Sequence, residues 1–156
     1  MRSAIAVALV IGWLVGGAPD KARADDAGAP NSIKVVVDGL HSNDGEVDCA
    51  LFANADGFPG DSSKADKTAK SRIDNRQAIC MFSGVAPGDY AVSVFHDENG
   101  NGKLDRNFIG MPKEGVGASN GAEGKFGPPK FDDARFTHLD GPQSLTIHVR
   151  YLLAPL

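Results

Sequence analysis

Residues 90–105 read YAVSVFHDENGNGKLD, and this stretch joins a strand pattern to a loop motif. In its first half, Tyr90, Val92 and Val94 alternate with the residues between them, which is typical of a β-strand with one buried face. Pro87-Gly88 precedes the strand as a turn, because Pro presets φ and Gly accepts positive φ. We therefore predict a core strand that runs directly into a loop rich in Asp, Asn and Gly.

The same alternation recurs along the chain in short runs separated by turn residues. The runs are residues 33–37, 46–53, 77–82, 134–139 and 145–151. We expect residues 72–73 and 77–82 to form a hairpin about Asp74-Asn75. We also expect residues 134–139 to pair with residues 145–151.

The pattern offers no long helix, only a short one that Asp61 or Ser62 would begin as N-cap. Glycine contributes 19 of the 156 residues, well above its average share of about 7%. Residues 110–129 form a long Gly/Pro-rich loop, and loops of that length are often functional. We predict an all-β fold: a single antiparallel, immunoglobulin-like β-sandwich of six or seven strands carrying this loop.

Length and charge restrict the class of protein. A chain of 156 residues accommodates about one domain. Its hydrophobic fraction of 42% and charged fraction of 23% exclude a disordered tail and a membrane bundle. The net charge of −4 argues against nucleic acid as a partner, since phosphate binding requires a concentrated cationic face.

The N-terminal residues 1–24 resemble a secretory signal. Arg2 supplies a positive charge, residues 4–15 are apolar, and Ala22-Arg23-Ala24 is typical of a cleavage site. A membrane anchor is the alternative, but the uncharged stretch is shorter than the roughly 20 residues that a spanning helix needs. We predict cleavage after Ala24, a single domain over residues 25–156 with no membrane span, and a periplasmic or secreted location.

Cys49 and Cys80 are the two cysteines, and both lie in the predicted exported domain. Each shares a strand face with apolar neighbours and would point into the core. An even cysteine count in an oxidising compartment favours a disulfide, with two separate buried thiols as the alternative. We predict a structural Cys49–Cys80 bridge.

The loop after residue 96 follows the spacing of a calcium-binding loop. Oxygen-bearing side chains occupy its positions 1, 3, 5 and 9, and Gly102 stands at position 6, where a sharp turn is needed. The candidate ligands are Asp97, Asn99, Asn101, the Lys103 carbonyl and Asp105. We predict a calcium site at residues 97–105.

The loop departs from an EF-hand at position 12, where Phe108 replaces the bidentate Glu. A third carboxylate would have to come from elsewhere, and the candidates are Glu114, Asp132 and Asp133. With so few charges we expect weak affinity, around 10⁻⁴–10⁻³ M.

Two other interpretations of the loop remain open. Asn-Gly is a strong hairpin signal, so the segment is also consistent with a rigid, metal-free turn whose Asp and Asn side chains bond to their own backbone. A small hydrolase using Asp97, Asp105 or His96 is a further alternative, although no nucleophile elbow is present. His96 shares the apolar strand face and would support the loop, since it lacks zinc-ligand partners at a recognisable spacing. His41 falls in a turn, and His138 and His148 fall on expected solvent faces.

Four ordered blocks carry a family resemblance. They are PGDYAV from residue 87, FHDENGNGKLD from 95, FIGMPKEGVGASN from 108 and FGPPKFDDARF from 126. Together they resemble the bacterial family catalogued as domain of unknown function 2141, over about residues 33–151. Ala118 stands where the family would place an aromatic residue, and Ala86 replaces the first proline of the turn.

The resemblance implies an exported protein similar to transthyretin-like and carboxypeptidase-regulatory-like β-sandwiches, with no established activity. We expect the Gly/Pro-rich blocks to fold over the loop, with Phe126 and Phe131 as apolar anchors. We therefore predict a non-catalytic binding or accessory module whose partner is a protein or small ligand of the cell envelope. A structural interaction protein with a metal-free turn is the alternative.

Overall fold

The computed structural model describes residues 30–153, so the predicted signal segment lies outside the described residues. Within that range the chain forms eight strands and almost no helix. The strands are β1 (Ile33–Asp38), β2 (Glu46–Phe52), β3 (Lys67–Arg72), β4 (Ala78–Phe82), β5 (Gly88–Asp97), β6 (Val116–Ala118), β7 (Phe136–His138) and β8 (Gln143–His148). The only α-helix in this range, α1, covers Phe131–Ala134, and short 3-10 helices cover Ser62–Lys64 and Ser119–Gly121.

The strands form two sheets, of three and five strands. The smaller has the order β4-β1-β8, and the larger has the order β3-β2-β5-β6 with β7 also paired to β5. The nearly all-β prediction is confirmed, although eight strands replace the expected six or seven. The expectation of purely antiparallel pairing is wrong, because β1 and β8 run parallel with Val35 opposite Leu145.

The predicted turn at Asp74-Asn75 forms, but the two strands that it joins do not pair with each other as predicted. Asp74 and Gln77 do close a tight turn with two backbone hydrogen bonds of 2.9 Å. However, β3 then pairs with β2 and β4 pairs with β1, so the turn connects the two sheets.

The predicted pairing of residues 134–139 with the last strand is also wrong. β7 instead pairs with the start of β5, where Tyr90 lies opposite Phe136. The short helix is confirmed as the 3-10 turn Ser62–Lys64, and the Asp61 side chain accepts the Ser63 N–H at 3.1 Å.

The main core lies between the two sheets. Its buried side chains come from the inward faces of both sheets: Ile33, Val35, Val37, Ala78, Phe82 and Ile147 from one, Val47, Leu51, Tyr90, Val92 and Val94 from the other. Cys49 in β2 and Cys80 in β4 form the predicted disulfide across this core. The bridge therefore joins the sheets directly.

The Gly/Pro-rich segment is more structured than predicted. Residues 116–118 form β6, an edge strand on β5, and Ser119 follows with a buried hydroxyl that donates to the Ala134 carbonyl at 2.6 Å. Gly117 explains why this edge can approach the other sheet, since a Cβ there would lie 2.7 Å from the Ile147 side chain. Among residues 30–153, no helix has the length and apolar character needed to cross a membrane.

Candidate functional site

The 97–105 loop begins at a buried carboxylate. Asp97, the last residue of β5, is fully buried. Its two carboxylate oxygens accept the backbone N–H groups of Asn101 at 3.1 Å and Gly102 at 2.7 Å. Gly102 adopts φ +73°, a left-handed conformation that glycine adopts without strain. The Asp97 side chain thus folds the loop back onto the end of its own strand.

The middle of the loop turns its polar side chains toward one point. Asn99 Oδ1 accepts the Asn101 N–H at 3.1 Å, and Asn101 Oδ1 accepts the Lys103 N–H at 2.8 Å. The amide groups of Asn99 and Asn101 donate to the Asp105 carboxylate at 2.7 and 3.2 Å. The structure therefore brings the predicted side-chain ligands together. Lys103 contributes backbone groups, and its side chain is exposed.

Glu114 closes the base of the loop. It is buried, with 4% of its surface exposed, and its carboxylate accepts the N–H of Glu98 at 3.1 Å and of Asp105 at 3.0 Å. One side chain thus ties together the two ends of the loop. Both Glu114 oxygens hold loop backbone, which favours a bracing role over a ligand role.

We expect Glu114→Gln to lower the free energy of unfolding by about 1–2 kcal/mol. The amide retains one acceptor oxygen but places an NH₂ group against the second backbone N–H, which loses its partner. Urea unfolding followed by circular dichroism measures the change. The exposed Asp132→Asn, whose side chain forms no hydrogen bond or ion pair among the described residues, is the control, and equal stability of the two variants would contradict the bracing role.

The other carboxylate candidates lie elsewhere. Asp132 and Asp133 are exposed residues of α1, and within the described residues neither forms a hydrogen bond or ion pair with the loop. Phe131 is half-buried and packs on Phe58 with ring centroids 5.9 Å apart. Phe126 is fully exposed, so its prediction as an apolar anchor is wrong. The residues on either side of it, 123–125 and 127–128, are exposed as well, so this part of the segment does not pack on the core.

The predicted histidine environments are partly corrected. His96 is buried as expected, but it bonds to Tyr151 and the Asp44 carbonyl rather than to the 97–105 loop. His138, expected on a solvent face, is fully buried, and its Nδ1 donates to Gln143 Oε1 at 2.7 Å. The change follows from the pairing of β7 with β5, which turns His138 inward. His148 is exposed, as predicted.

A second acidic group adjoins the start of the loop. Glu46 lies opposite Asp97 across the β2–β5 ladder, and Asp48 lies on the same face. Lys70 pairs with both Glu46 and Asp48, and these two carboxylates raise the pKa of its ammonium. Burial raises the pKa of Asp48, and Lys70 opposes that rise. The positive charge of Lys70 therefore offsets part of the negative charge of the neighbouring Glu46, Asp48 and Asp97 carboxylates.

Comparison with known protein families finds one family whose model covers this loop and the sequence blocks around it. The model of a family described as "Uncharacterized protein conserved in bacteria (DUF2141)" matches residues 35–146. The chain belongs to this family. The DUF2141 match extends from β1 into β8 and includes the whole 97–105 loop and Glu114, and it confirms the resemblance seen in the sequence. Searches of curated proteins and of solved structures found no match.

Proposed function

We propose that this DUF2141 protein is an exported, non-catalytic binding or accessory module whose 97–105 loop binds Ca²⁺ weakly. The proposed fold is a transthyretin-like β-sandwich, with the loop at the end of β5. The ligand or protein partner of the module would dock on the surface that the loop orders.

The convergence of the loop side chains on the Asp105 carboxylate carries this proposal. Carboxylate and amide oxygens are the ligands that Ca²⁺ prefers, and their spacing is that of a calcium loop. Asn99 and Asn101 already point at Asp105, and turning their amides over would present oxygens to an ion in exchange for the backbone N–H groups that these oxygens now accept. Glu114 ties the two ends of the loop together through the N–H groups of Glu98 and Asp105.

A structural envelope protein with a metal-free turn is the second candidate. One observation favours it: Asp97, Asn99 and Asn101 each accept backbone N–H groups of the loop, which supports the turn without an ion. A hydrolase fits less well. Asp97 is buried and both of its oxygens hold backbone donors, so it is poorly placed to exchange protons with a substrate.

Calcium is expected to raise the melting temperature of the oxidised protein in a saturable way. At 10 mM Ca²⁺, a dissociation constant of roughly 10⁻⁴–10⁻³ M corresponds to about 1.4–2.7 kcal/mol of added stability by linkage. Thermal unfolding in EDTA and then across roughly 0.1–10 mM Ca²⁺ measures the effect.

Two controls make the calcium melt specific. Mg²⁺ should have little effect, because it requires a tighter octahedral shell than this loop offers. Asp105→Asn should reduce the calcium response, while Asp132→Asn, outside the loop, should leave it intact. An unchanged melting temperature across the calcium range would reject the calcium proposal and favour the metal-free turn.

A further inference from the structure

A second cluster of metal-binding side chains lies beside the loop and uses none of its predicted ligands. One ring nitrogen of His41, one of His96 and one carboxylate oxygen of Glu98 all lie within 4.8 Å of one another. His41 comes from the segment after β1, and the other two flank the end of β5. Sequence spacing does not reveal this group, since the two histidines are far apart along the chain.

The hydrogen bonds of His96 determine which of its nitrogens is available. Nε2 lies 2.7 Å from the Asp44 carbonyl, which can only accept, so Nε2 carries the proton. In the neutral ring Nδ1 therefore bears the lone pair and faces Glu98 Oε1 at 3.6 Å. An imidazole that donates its other N–H to a backbone carbonyl is the usual arrangement of a metal-ligating histidine.

Glu98 supplies the carboxylate of the cluster. Its Oε1 is a buried atom that, among the described residues, receives no hydrogen bond of acceptable geometry, although the His41 imidazole contacts it. A buried carboxylate oxygen that lies between two imidazoles is stabilised by positive charge beside it. The position of this oxygen therefore suits a positively charged ligand.

Tyr151 holds the cluster in position. Its ring stacks on that of His41 with centroids 4.0 Å apart, and its hydroxyl accepts the backbone N–H of His41 at 3.2 Å. The same hydroxyl donates to His96 Nδ1 at 2.7 Å. In the metal-free protein this hydroxyl therefore occupies the lone pair of His96 Nδ1, and a bound metal would take its place.

We propose that His41, His96 and Glu98 form a binding site for a borderline divalent transition metal, represented by Zn²⁺. Zinc bonds of about 2.0–2.1 Å in tetrahedral geometry place ligand atoms about 3.4 Å apart, close to the His96–Glu98 separation. Two histidines and one glutamate leave a fourth position open. The side chains of His41 and Glu98 remain 49% and 32% exposed, which gives an ion access from solvent.

The chemistry of the ligands separates this site from the calcium loop. Imidazole nitrogens select Zn²⁺ and its neighbours over Ca²⁺, which takes oxygen ligands. The proposal does not depend on the calcium proposal, because Asp97, Asn99, Asn101 and Asp105 are not among the zinc ligands.

Titration of Zn²⁺ into the untagged, metal-stripped protein by isothermal calorimetry, with a competing chelator, tests the site. We expect one equivalent of Zn²⁺ to bind, and His41→Ala and Glu98→Gln each to weaken binding by at least about tenfold. Co²⁺ should give the visible spectrum of a low-coordinate nitrogen and oxygen site, lost in the same variants. His148→Ala, which removes an exposed histidine outside the cluster, should bind Zn²⁺ as the wild type does.

Several outcomes would overturn the proposal. One is a wild type that binds Zn²⁺ no more tightly than His41→Ala does, and another is a Glu98→Gln variant that keeps the wild-type affinity for Zn²⁺. A third is a control His148→Ala that loses as much Zn²⁺ affinity as the cluster variants do. Circular dichroism confirms that each variant is folded, and Glu98→Gln is nearly isosteric, so a folding defect in one variant leaves the other as a test. Asp105→Asn should alter the calcium response and leave Zn²⁺ binding unchanged.

Discussion

Removal of the Cys49–Cys80 disulfide is expected to lower the free energy of unfolding by about 3–4 kcal/mol. The bridge closes a loop with a sequence separation of 31 residues, and in the chain-entropy model this restricts the unfolded chain. It also connects β2 of the larger sheet with β4 of the smaller one, inside the core that both sheets share. Urea unfolding of a Cys49→Ala/Cys80→Ala double variant measures the loss.

The reduced wild type provides the matched control for this variant. It should approach the stability of the double variant, because both lack the same cross-link. A double variant as stable as the oxidised wild type would show that the bridge does not restrict the unfolded chain appreciably.

Asp97→Ala is expected to lower the free energy of unfolding by about 3 kcal/mol, because it removes two charge-assisted hydrogen bonds. The N–H groups of Asn101 and Gly102 would lose the acceptor that folds the loop. Asp97→Asn retains one acceptor oxygen and should lose roughly half as much. Urea unfolding in EDTA measures both changes.

The solvent-exposed Asp132→Ala serves as the control for Asp97, and we expect a change within about 0.5 kcal/mol. The loss in Asp97→Ala should be present without calcium, since its bonds are made to backbone. If the alanine variant were destabilised only when calcium is present, the backbone bonds would have little energetic weight and the ion would support the loop.

The two proposed ion sites use neighbouring residues of the chain: Asp97 belongs to the calcium loop and Glu98 to the zinc cluster. Asp97, the last residue of β5, turns its carboxylate into the loop, while Glu98, the first residue after the strand, lies against His41 and His96. One strand end can therefore present oxygen ligands on one side and a mixed nitrogen and oxygen set on the other. Glu114 contacts both sites, because its carboxylate accepts the backbone N–H of Glu98 in the zinc cluster and of Asp105 in the calcium loop.

Features set by residues close together in the chain were predictable from sequence. The alternation of Tyr90, Val92 and Val94 predicted the buried face of β5, and the same reasoning placed both cysteines in the core. The DxNxNG spacing predicted side chains that converge within one loop, since each bond there spans only a few residues. The ordered sequence blocks also indicated the family.

Partners distant in the chain were beyond sequence reasoning. The alternation of β7 and β8 shows that each has a buried face, but it does not say which strand lies alongside. β7 therefore paired with β5 and β8 ran parallel to β1, against expectation. The exposure of Phe126 likewise depends on what surrounds it and not on its own type.

The sequence by itself thus determined the buried face of β5, the disulfide and the self-bonded 97–105 loop of this protein. Only the tertiary structure decided that Glu114 braces the loop and that Tyr151 aligns His41 with His96, a contact made between residues separated by 110 positions. The physical reason is that local turns and periodicity follow from short-range hydrogen bonds and side-chain direction. Strand partners and side-chain clusters follow from how the whole chain buries its apolar faces at once.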